Sequence, residues 1–333
     1  MRKYLNASNL PLSLAVWLAT DNYDYDDQTI SATQLIRSVR QIVLGSRVSM
    51  EETVSDISNL IKSRMGTAVH DSIERAWLNN YEKAMKNLGY PDHIIEKVKI
   101  NPDPKTVKQD DFPIYIEKRE YKQIRGFTIS GKFDFLSEGR LEDFKNTSTY
   151  AWNLSQKTDT FRLQASIYRW LNPEIVTAPE VSIQYIFSDF QPMKTKTDKN
   201  YPDSQIKTKN ISLLSVQDTE QYIANKLDQV SHYWDSPESE IPFCSDDDLW
   251  RKDPHWKYYK NPEKTTRSTK NFTIENYGSA ASAQNAAYQR LAEDKHIGKV
   301  VEVPGEVVAC KYCEAFPICS QKDQLIADGS LKI

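Results

Sequence analysis

The chain has 333 residues, with 43 basic and 46 acidic side chains and a formal net charge of −3. An aromatic content of 11% and seven Trp supply enough apolar surface for a packed core, which excludes an intrinsically disordered chain. The absence of any run of 18 apolar residues excludes a membrane-spanning helix, and the near-balanced charge excludes a protein that simply coats nucleic acid.

The cysteine content and the apolar segment near the N-terminus bear on cellular location. Four Cys in 333 residues are too few for a disulfide scaffold. No small-residue cleavage pattern separates the apolar residues 10–19 from the acidic residues 21–27, so we expect no signal peptide. The sequence therefore predicts a cytoplasmic protein without a membrane partner, whose Cys side chains are metal ligands.

Apolar spacing and turn residues predict elements along most of the chain. Helices are recognised by their 3.6-residue period, and strands by alternation between turn residues. In chain order the predictions are a mixed, mostly helical region over residues 1–64 with its clearest helix at Ser31–Leu44 and an acidic loop at Asp21–Asp27, a helix at Val69–Leu88, a Pro- and charge-rich connection at Pro91–Pro113, strands at Tyr115–Ile124, Phe127–Leu136 and Leu141–Asn146, a helix at Thr160–Leu171, a strand at Val181–Phe187, a basic loop at Gln191–Lys209, a helix at Ser215–Trp234 and an Ala-rich helix at Ser279–Ala292.

This order is typical of an α/β or α+β enzyme core with additions, because a three-strand meander is followed by helix, strand and helix. We divide the chain into an N-terminal helical region at 1–64, a core at 65–240 and a C-terminal region at 241–333. The last region holds all four Cys.

The first candidate motif places a histidine and a carboxylate on one helix face. It runs Gly66-Thr-Ala-Val-His70-Asp-Ser-Ile-Glu74, so His70 and Glu74 are four residues apart and share a face of the predicted helix. Gly66 would permit a close backbone approach at the start of this helix.

Two further motifs place acidic residues in predicted strands. Asp134 of Gly131-Lys-Phe-Asp134 lies among aromatic residues, where a carboxylate costs free energy unless it is paired or metal-bound. Asp143 and Lys145 are two residues apart and project from one face of the next strand. A hairpin from Phe133 to Lys145 brings Asp134 beside Asp143.

Two neighbouring carboxylates, a lysine and a histidine have the composition of a metal-dependent hydrolytic site. Carboxylates bind Mg²⁺ or Mn²⁺, and an imidazole ligand favours Mn²⁺. The metal lowers the pKa of a bound water and neutralises a phosphoryl oxygen.

The ordered series of motifs resembles RecB-type nucleases of the PD-(D/E)xK superfamily. Its fourth element is Gln164-Ala-Ser-Ile-Tyr168, again with spacing i and i+4 on a helix. The similarity extends over roughly residues 30–320, and the segments Ser31-Ala-Thr-Gln-Leu, Val54-Ser-Asp56 and the C-terminal Pro-Gly-Glu and Cys region resemble phage-encoded members. It implies a restriction-endonuclease-like mixed β-sheet core with flanking helices and a Cys-bound C-terminal extension.

The resemblance also assigns roles to the site residues. Asp134 and Asp143, with the carbonyl of Phe144, would hold the catalytic Mg²⁺ or Mn²⁺. His70 would be a further ligand that favours two-metal occupancy. Glu142 is the fallback for Asp143, because the family accepts either acid at this position.

Three further residues take roles around these ligands. Lys145 would position the attacking water. Gln164 and Tyr168 would orient the DNA phosphate or Lys145. Glu74 is a weaker candidate.

The cysteines form a second candidate site. Cys310-x₂-Cys313-x₅-Cys319 closes the chain, and Cys244 lies 66 residues before Cys310. Four thiolates suit Zn²⁺ or a [4Fe–4S] cluster. The triplet resembles that of iron–sulfur RecB-type nucleases, in which the fourth Cys precedes the nuclease motifs. This likeness favours the iron–sulfur cluster, whereas Zn²⁺ stays open because Cys244 follows the nuclease motifs here.

We therefore expect a metal-dependent DNA exonuclease that processes DNA ends in recombination, in the host cytoplasm if it is phage-encoded. A structure-specific or site-specific endonuclease, a non-catalytic DNA-binding protein with the nuclease fold, and an iron–sulfur redox sensor are the alternatives. DNA is the expected partner, and the resemblance adds a single-strand annealing protein.

Two other segments have open interpretations. The basic loop at 194–209 is either a solvated loop or a phosphate contact. The Trp- and Tyr-rich segment Trp250–Tyr259 either packs in a core or stacks on the bases of a single strand.

Overall fold

The computed structural model describes residues 3–20, 28–49, 54–153, 157–263 and 280–332. The chain divides into two compact units, one formed by Met1–Arg37 with Met50–Ser231 and the other by Ser38–Ser49 with His232–Ile333. The three-part division made from the sequence stays a prediction. Across the described ranges no helix has the length and apolar character needed to cross a membrane.

Helices and strands are interspersed along the described chain. The strands are β1 (Lys3–Leu5), β2 (Thr29–Ser31), β3 (Val54–Asp56), β4 (Val98–Ile100), β5 (Phe112–Ile124), β6 (Phe127–Ser137), β7 (Arg140–Thr147), β8 (Glu180–Phe187), β9 (Ile206–Ser212), β10 (His255–Tyr259) and β11 (Lys299–Val303). The α-helices are α1 (Leu12–Ala19), α2 (Ala32–Leu35), α3 (Val39–Ser46), α4 (Ile61–Asn87), α5 (Asp92–Ile95), α6 (Lys157–Leu171), α7 (Val216–Tyr233), α8 (Ala280–Glu293) and α9 (Ser320–Ala327).

A seven-stranded mixed sheet forms the centre of the first unit. Its order is β4-β5-β6-β7-β8-β9, and β2 pairs with β6 off this path. Strands β7 and β8 are parallel, whereas β5, β6 and β7 form an antiparallel meander. One apolar cluster joins the sheet to α6 and another joins it to α4. The predicted α/β class, a mixed sheet with flanking helices, is confirmed.

Two-residue turns fix the register of the meander. Arg125 and Gly126 connect β5 to β6, and Glu138 and Gly139 connect β6 to β7; all four residues have positive φ angles between 50° and 80°. Two positive φ angles define the type I′ turn, whose twist matches that of antiparallel strands. The turns therefore determine which residues of β6 and β7 face each other.

The pairing between β6 and β7 ends beside Asp134. Strand β7 pairs with β6 only at Phe135–Ser137, and β2 pairs with β6 at Thr128–Ser130 on that same edge. Between these two pairings, no residue that the structure describes pairs with β6 on the β7 side. The sheet therefore leaves a gap where the predicted catalytic residues converge.

The predicted helix Ser31–Leu44 is two helices. Ser31 caps α2 and Ser38 caps α3, each in a capping box with the Gln three residues later. Because the side chain of Ser38 accepts the amide proton of Gln41, a new helix begins where the sequence pattern predicted continuity.

The predicted start of the long helix was also wrong. Helix α4 begins at Ile61 rather than Val69, so Gly66 lies inside it. A β-carbon built on Gly66 meets no atom within 4 Å. Gly66 therefore serves no close backbone approach.

Two predicted connections contain regular structure. The region 91–113 holds α5 and β4, and the basic segment 191–209 runs into β9 from Ile206. Its last two lysines, Lys207 and Lys209, are paired in the sheet with Tyr185 and Ile183. The predicted acidic loop at 21–27 lies outside the described residues.

The second unit has its own small cores. Strands β10 and β11 pair antiparallel, and Trp256 packs with Ala283 and Ala287 of α8. Tyr258 and Tyr259 are buried as well. Trp250 is the exception, at 52% exposed. Most of this aromatic segment therefore packs in a core.

Candidate active site

Asp134 occupies the gap between β6 and β7. Its Oδ2 accepts a hydrogen bond from the main-chain N–H of Phe144, at 3.1 Å. Extending the ladder beyond the pair Phe135 and Glu142 places Asp143 opposite Asp134. A side chain of β6 thus replaces a missing main-chain partner of β7.

His70 reaches this gap from helix α4. Its Nε2 lies 2.8 Å from the carbonyl oxygen of Phe144, and its Nδ1 lies 3.4 Å from Oδ2 of Asp134. Burial lowers the pKa of His70, but hydrogen bonding and the charge of Asp134 outweigh this and raise it. The structure therefore brings together His70, Asp134 and the carbonyl of Phe144.

Asp143 and Lys145 form a buried ion pair. Nζ of Lys145 lies 2.9 Å from Oδ1 and 2.7 Å from Oδ2 of Asp143. The contact to Oδ2 is badly directed for a hydrogen bond, and this buried oxygen has no other hydrogen-bond partner among the described residues. Burial raises the pKa of Asp143. Burial lowers the pKa of Lys145, but Asp143 and Asp134 outweigh this and raise it, so the lysine is a cation at neutral pH.

Gln164 and Tyr168 of helix α6 line a cavity that also exposes Asp134 and Asp143. Nε2 of Gln164 donates to the Tyr168 hydroxyl at 2.8 Å. A β-carbon on Gly131 would lie 2.5 Å from Leu171 and 3.0 Å from Tyr168. The glycine of the second motif therefore lets α6 approach the sheet.

The two remaining candidates lie beside the group. Glu142, the fallback acid, lines the same cavity but accepts a hydrogen bond from Gln184 at 2.7 Å. Glu74 lies one helical turn beyond His70, and its charge is among the causes that raise the pKa of Glu117.

Glu117 of β5 is a site residue that the sequence analysis missed. One ligand atom from each of His70, Glu117 and Asp134 lies within 4.8 Å of the other two. In the described part of the chain this is the one such group of His, Cys, Asp or Glu, and Asp143 does not belong to it. Glu117 has a φ of 49°, which is rare for a residue other than Gly.

The cysteines meet in the second unit. Cys244, Cys310, Cys313 and Cys319 line one cavity with Arg40 and Gln321. All four are free thiols. Burial, with the neighbouring sulfurs, raises the pKa of Cys310 to about 11, and burial raises that of Cys244 to about 11 despite the Ser38 hydroxyl beside it. Cysteines up to 75 residues apart in the sequence thus line one cavity.

Buried polar groups hold the cysteine pocket. Gln321 accepts a hydrogen bond from the Cys244 N–H at 2.8 Å and donates to its carbonyl at 3.0 Å. The Arg40 guanidinium is 1% exposed, donates to the sulfur of Cys319 at 3.3 Å and pairs with Glu238. The arginine places a positive charge against a sulfur.

The chain has only weak similarity to known proteins. No protein-family model and no curated protein match the chain. Among solved structures, SSO0001 aligns at a TM-score of 0.40 and 17% identity over 69% of this chain and 91% of that one. A phage-related exonuclease from Haemophilus somnus 129PT aligns at 0.28 and 13% over 64% and 96%. TM-scores and identities this low carry no argument about function. The functional interpretation therefore rests on the geometry of the site.

Proposed function

We propose that the chain is a metal-dependent deoxyribonuclease of the RecB type that acts as an exonuclease on DNA ends. One observation carries the proposal: His70, Asp134 and the Phe144 carbonyl meet at the sheet gap, beside the buried pair Asp143 and Lys145. The exonuclease mode rests on the resemblance of the motif series alone.

The donor set fits Mg²⁺ or Mn²⁺. Carboxylate and carbonyl oxygens suit these ions, and an imidazole is compatible with Mn²⁺. The buried Oδ2 of Asp143 lacks a well-directed hydrogen bond, and an unsatisfied buried carboxylate oxygen costs free energy that a cation would recover. Asp134, Asp143, the Phe144 carbonyl and His70 would hold the ion.

The side chains around these ligands supply the remaining chemistry. A bound cation acidifies water and neutralises a phosphoryl oxygen. Lys145, held as a cation by Asp143, donates hydrogen bonds that orient the attacking water and balance charge at the phosphate. Gln164 and Tyr168, linked at 2.8 Å, orient the phosphate from the α6 side.

The cysteine pocket fits a [4Fe–4S] cluster better than a zinc ion. In a tetrahedral Zn²⁺ site with Zn–S bonds of about 2.3 Å, the sulfurs lie about 3.8 Å apart. Among the described Cys residues, no three sulfurs form a group within 4.8 Å. A cluster of four irons separates its thiolates more widely than one ion does, and we assign it a structural role.

The test follows DNA of three forms over time with Mn²⁺ or Mg²⁺. End-labelled linear duplex, single-stranded DNA and closed circular plasmid are incubated with the wild type, Lys145→Ala and Lys118→Ala. Lys118 is a matched control because it lies in the same sheet, paired with Glu120. We expect loss of linear DNA, survival of circles, an inactive Lys145→Ala and a fully active Lys118→Ala.

Other outcomes identify the alternatives. Cleavage of circles would indicate an endonuclease. DNA binding without cleavage in any form would contradict the enzyme and favour a binding protein. Equal activity of Lys145→Ala and the wild type would place the chemistry elsewhere.

A further inference from the structure

We propose that Glu117 is a cation ligand of this site, on the β5 side of Asp134, and that Lys132 neutralises Glu117 while no metal is bound there. The inference rests on the proposed metal-dependent function. It adds a ligand that none of the sequence motifs contains.

The strand register places Glu117 against Asp134. Ile116 pairs with Phe135 and Lys118 pairs with Phe133, so Glu117 and Asp134 face each other between these pairs. Because β6 lies between β5 and β7, Asp134 has Glu117 on one side and Asp143 on the other. Asp134 can therefore ligate a cation on the β5 side and another on the β7 side.

The spacing of the three ligand atoms suits a small cation. Metal–oxygen distances of about 2.1 Å in octahedral geometry separate neighbouring ligands by about 3 Å and opposite ligands by about 4.2 Å. The atoms of His70, Glu117 and Asp134 already lie within 4.8 Å of one another. Small changes of side-chain rotamer would bring these atoms to the spacing of ligands around one cation.

The backbone of β5 is irregular at Glu117. Its positive φ of 49° lies in a region that costs a residue other than Gly free energy, and such strain concentrates at functional sites. Regular alternation also breaks on β6, where Phe133 packs against Tyr168 of α6 whereas Phe135 packs against Trp77 of α4. The irregularity thus affects both facing strands at Glu117 and Asp134.

Lys132 is the present counter-ion of Glu117. The two side chains form an ion pair, and the Glu117 side chain is only 20% exposed. A carboxylate this buried needs a positive partner. A metal ion bound by Glu117 takes over that role and releases Lys132, which lies two residues before Asp134 and becomes available to a phosphate.

Mn²⁺ binding to the metal-free protein tests the assignment, followed by calorimetry and by the electron paramagnetic resonance signal of unbound Mn²⁺. Glu117→Gln is isosteric, and Glu120→Gln on the same strand is its control. We expect at least tenfold weaker Mn²⁺ binding at one site in Glu117→Gln and no change in Glu120→Gln. Thermal unfolding without metal checks that both variants fold.

Lys132→Met separates a ligand role of Glu117 from a general charge effect. Removing the competing cation should tighten Mn²⁺ binding several-fold, and the double variant with Glu117→Gln should stay weak, because the two changes act through one carboxylate. Wild-type Mn²⁺ affinity in Glu117→Gln would overturn the inference even if the enzyme cuts DNA. A wild type that binds Mn²⁺ but cuts no DNA would contradict the proposed nuclease and leave the ligand assignment standing.

Discussion

Nε2 of His70 lies 2.8 Å from the carbonyl oxygen of Phe144, a residue 74 positions later in the chain. Both atoms are candidate ligands of one cation. Without a cation, Nε2 of His70 donates its proton to the carbonyl oxygen of Phe144. A cation can bind Nε2 only when the imidazole proton resides on Nδ1, which faces Asp134 at 3.4 Å. Asp134 can accept this Nδ1 proton, so its carboxylate stabilises the ligating tautomer once a cation replaces the proton that Nε2 donates to Phe144.

Replacing His70 should weaken metal binding more than it impairs the chemical step. We expect His70→Ala to need at least tenfold more Mn²⁺ for half-maximal cleavage, with much of the maximal rate restored at saturation. Lys145→Ala should stay inactive at every Mn²⁺ concentration. A metal titration of initial rates distinguishes the two, and a His70→Ala enzyme that saturates at wild-type Mn²⁺ would show that His70 is no ligand.

Two glycine substitutions should change stability in opposite directions. Gly131→Ala places a methyl group 2.5 Å from Leu171, and such overpacking costs about 1–3 kcal/mol. Gly66→Ala adds a methyl group in open space inside α4 and should stabilise by about 0.5–1 kcal/mol. Denaturant unfolding measures both, and an unchanged Gly131→Ala would contradict the tight contact between α6 and β6.

Acid should weaken the first unit through Glu220. The indole N–H of buried Trp170 donates to Glu220 at 2.7 Å, and this bond, with Lys122 nearby, lowers the pKa of Glu220. A lowered folded-state pKa contributes stability above the unfolded value of 4.5, and this is lost as the pH falls through the folded value.

The isosteric variant Glu220→Gln tests this dependence. Its melting temperature should lie below that of the wild type at pH 7, and the difference should shrink as the pH falls below the unfolded value of 4.5. Trp fluorescence follows the unfolding. A difference that stays constant with pH would show that the Glu220 charge does not contribute.

Removing the proposed cluster should destabilise the second unit, because metal binding by thiolates is coupled to folding. We expect protein purified without oxygen to absorb in the visible range, and chelation or oxidation to lower its melting temperature. Cys244→Ser and Cys310→Ser should lose the absorption equally if Cys244 is the fourth ligand. Full absorption in Cys244→Ser would exclude it, and unchanged stability after cluster loss would contradict the structural role.

Much of the core could be predicted because its elements have strong local signals. Helix α6 keeps the apolar period that predicted Thr160–Leu171, and the Glu138-Gly139 turn sets a register that brings Asp143 opposite Asp134. The break at Ser38 could have been found, since Ser followed by Gln three residues later is a capping box.

Glu117 could not be predicted from local pattern. Its position depends on a left-handed backbone conformation within a strand, whereas sequence alternation assumes regular pleating. The same irregularity places Phe133 and Phe135 against different helices, although two residues that are two apart normally share a face. The pairing of Asp143 with Lys145 likewise depends on burial that only tertiary packing creates.

The assignment of Ser38–Ser49 to the second unit has a consequence for biosynthesis. Arg40 emerges from the ribosome some 200 residues before Glu238 and the Ile241 carbonyl, its buried partners, and nearly 280 before Cys319. The second unit is therefore completed last, and a nascent chain halted before Glu238 leaves Arg40 without the partners that it has in the folded unit.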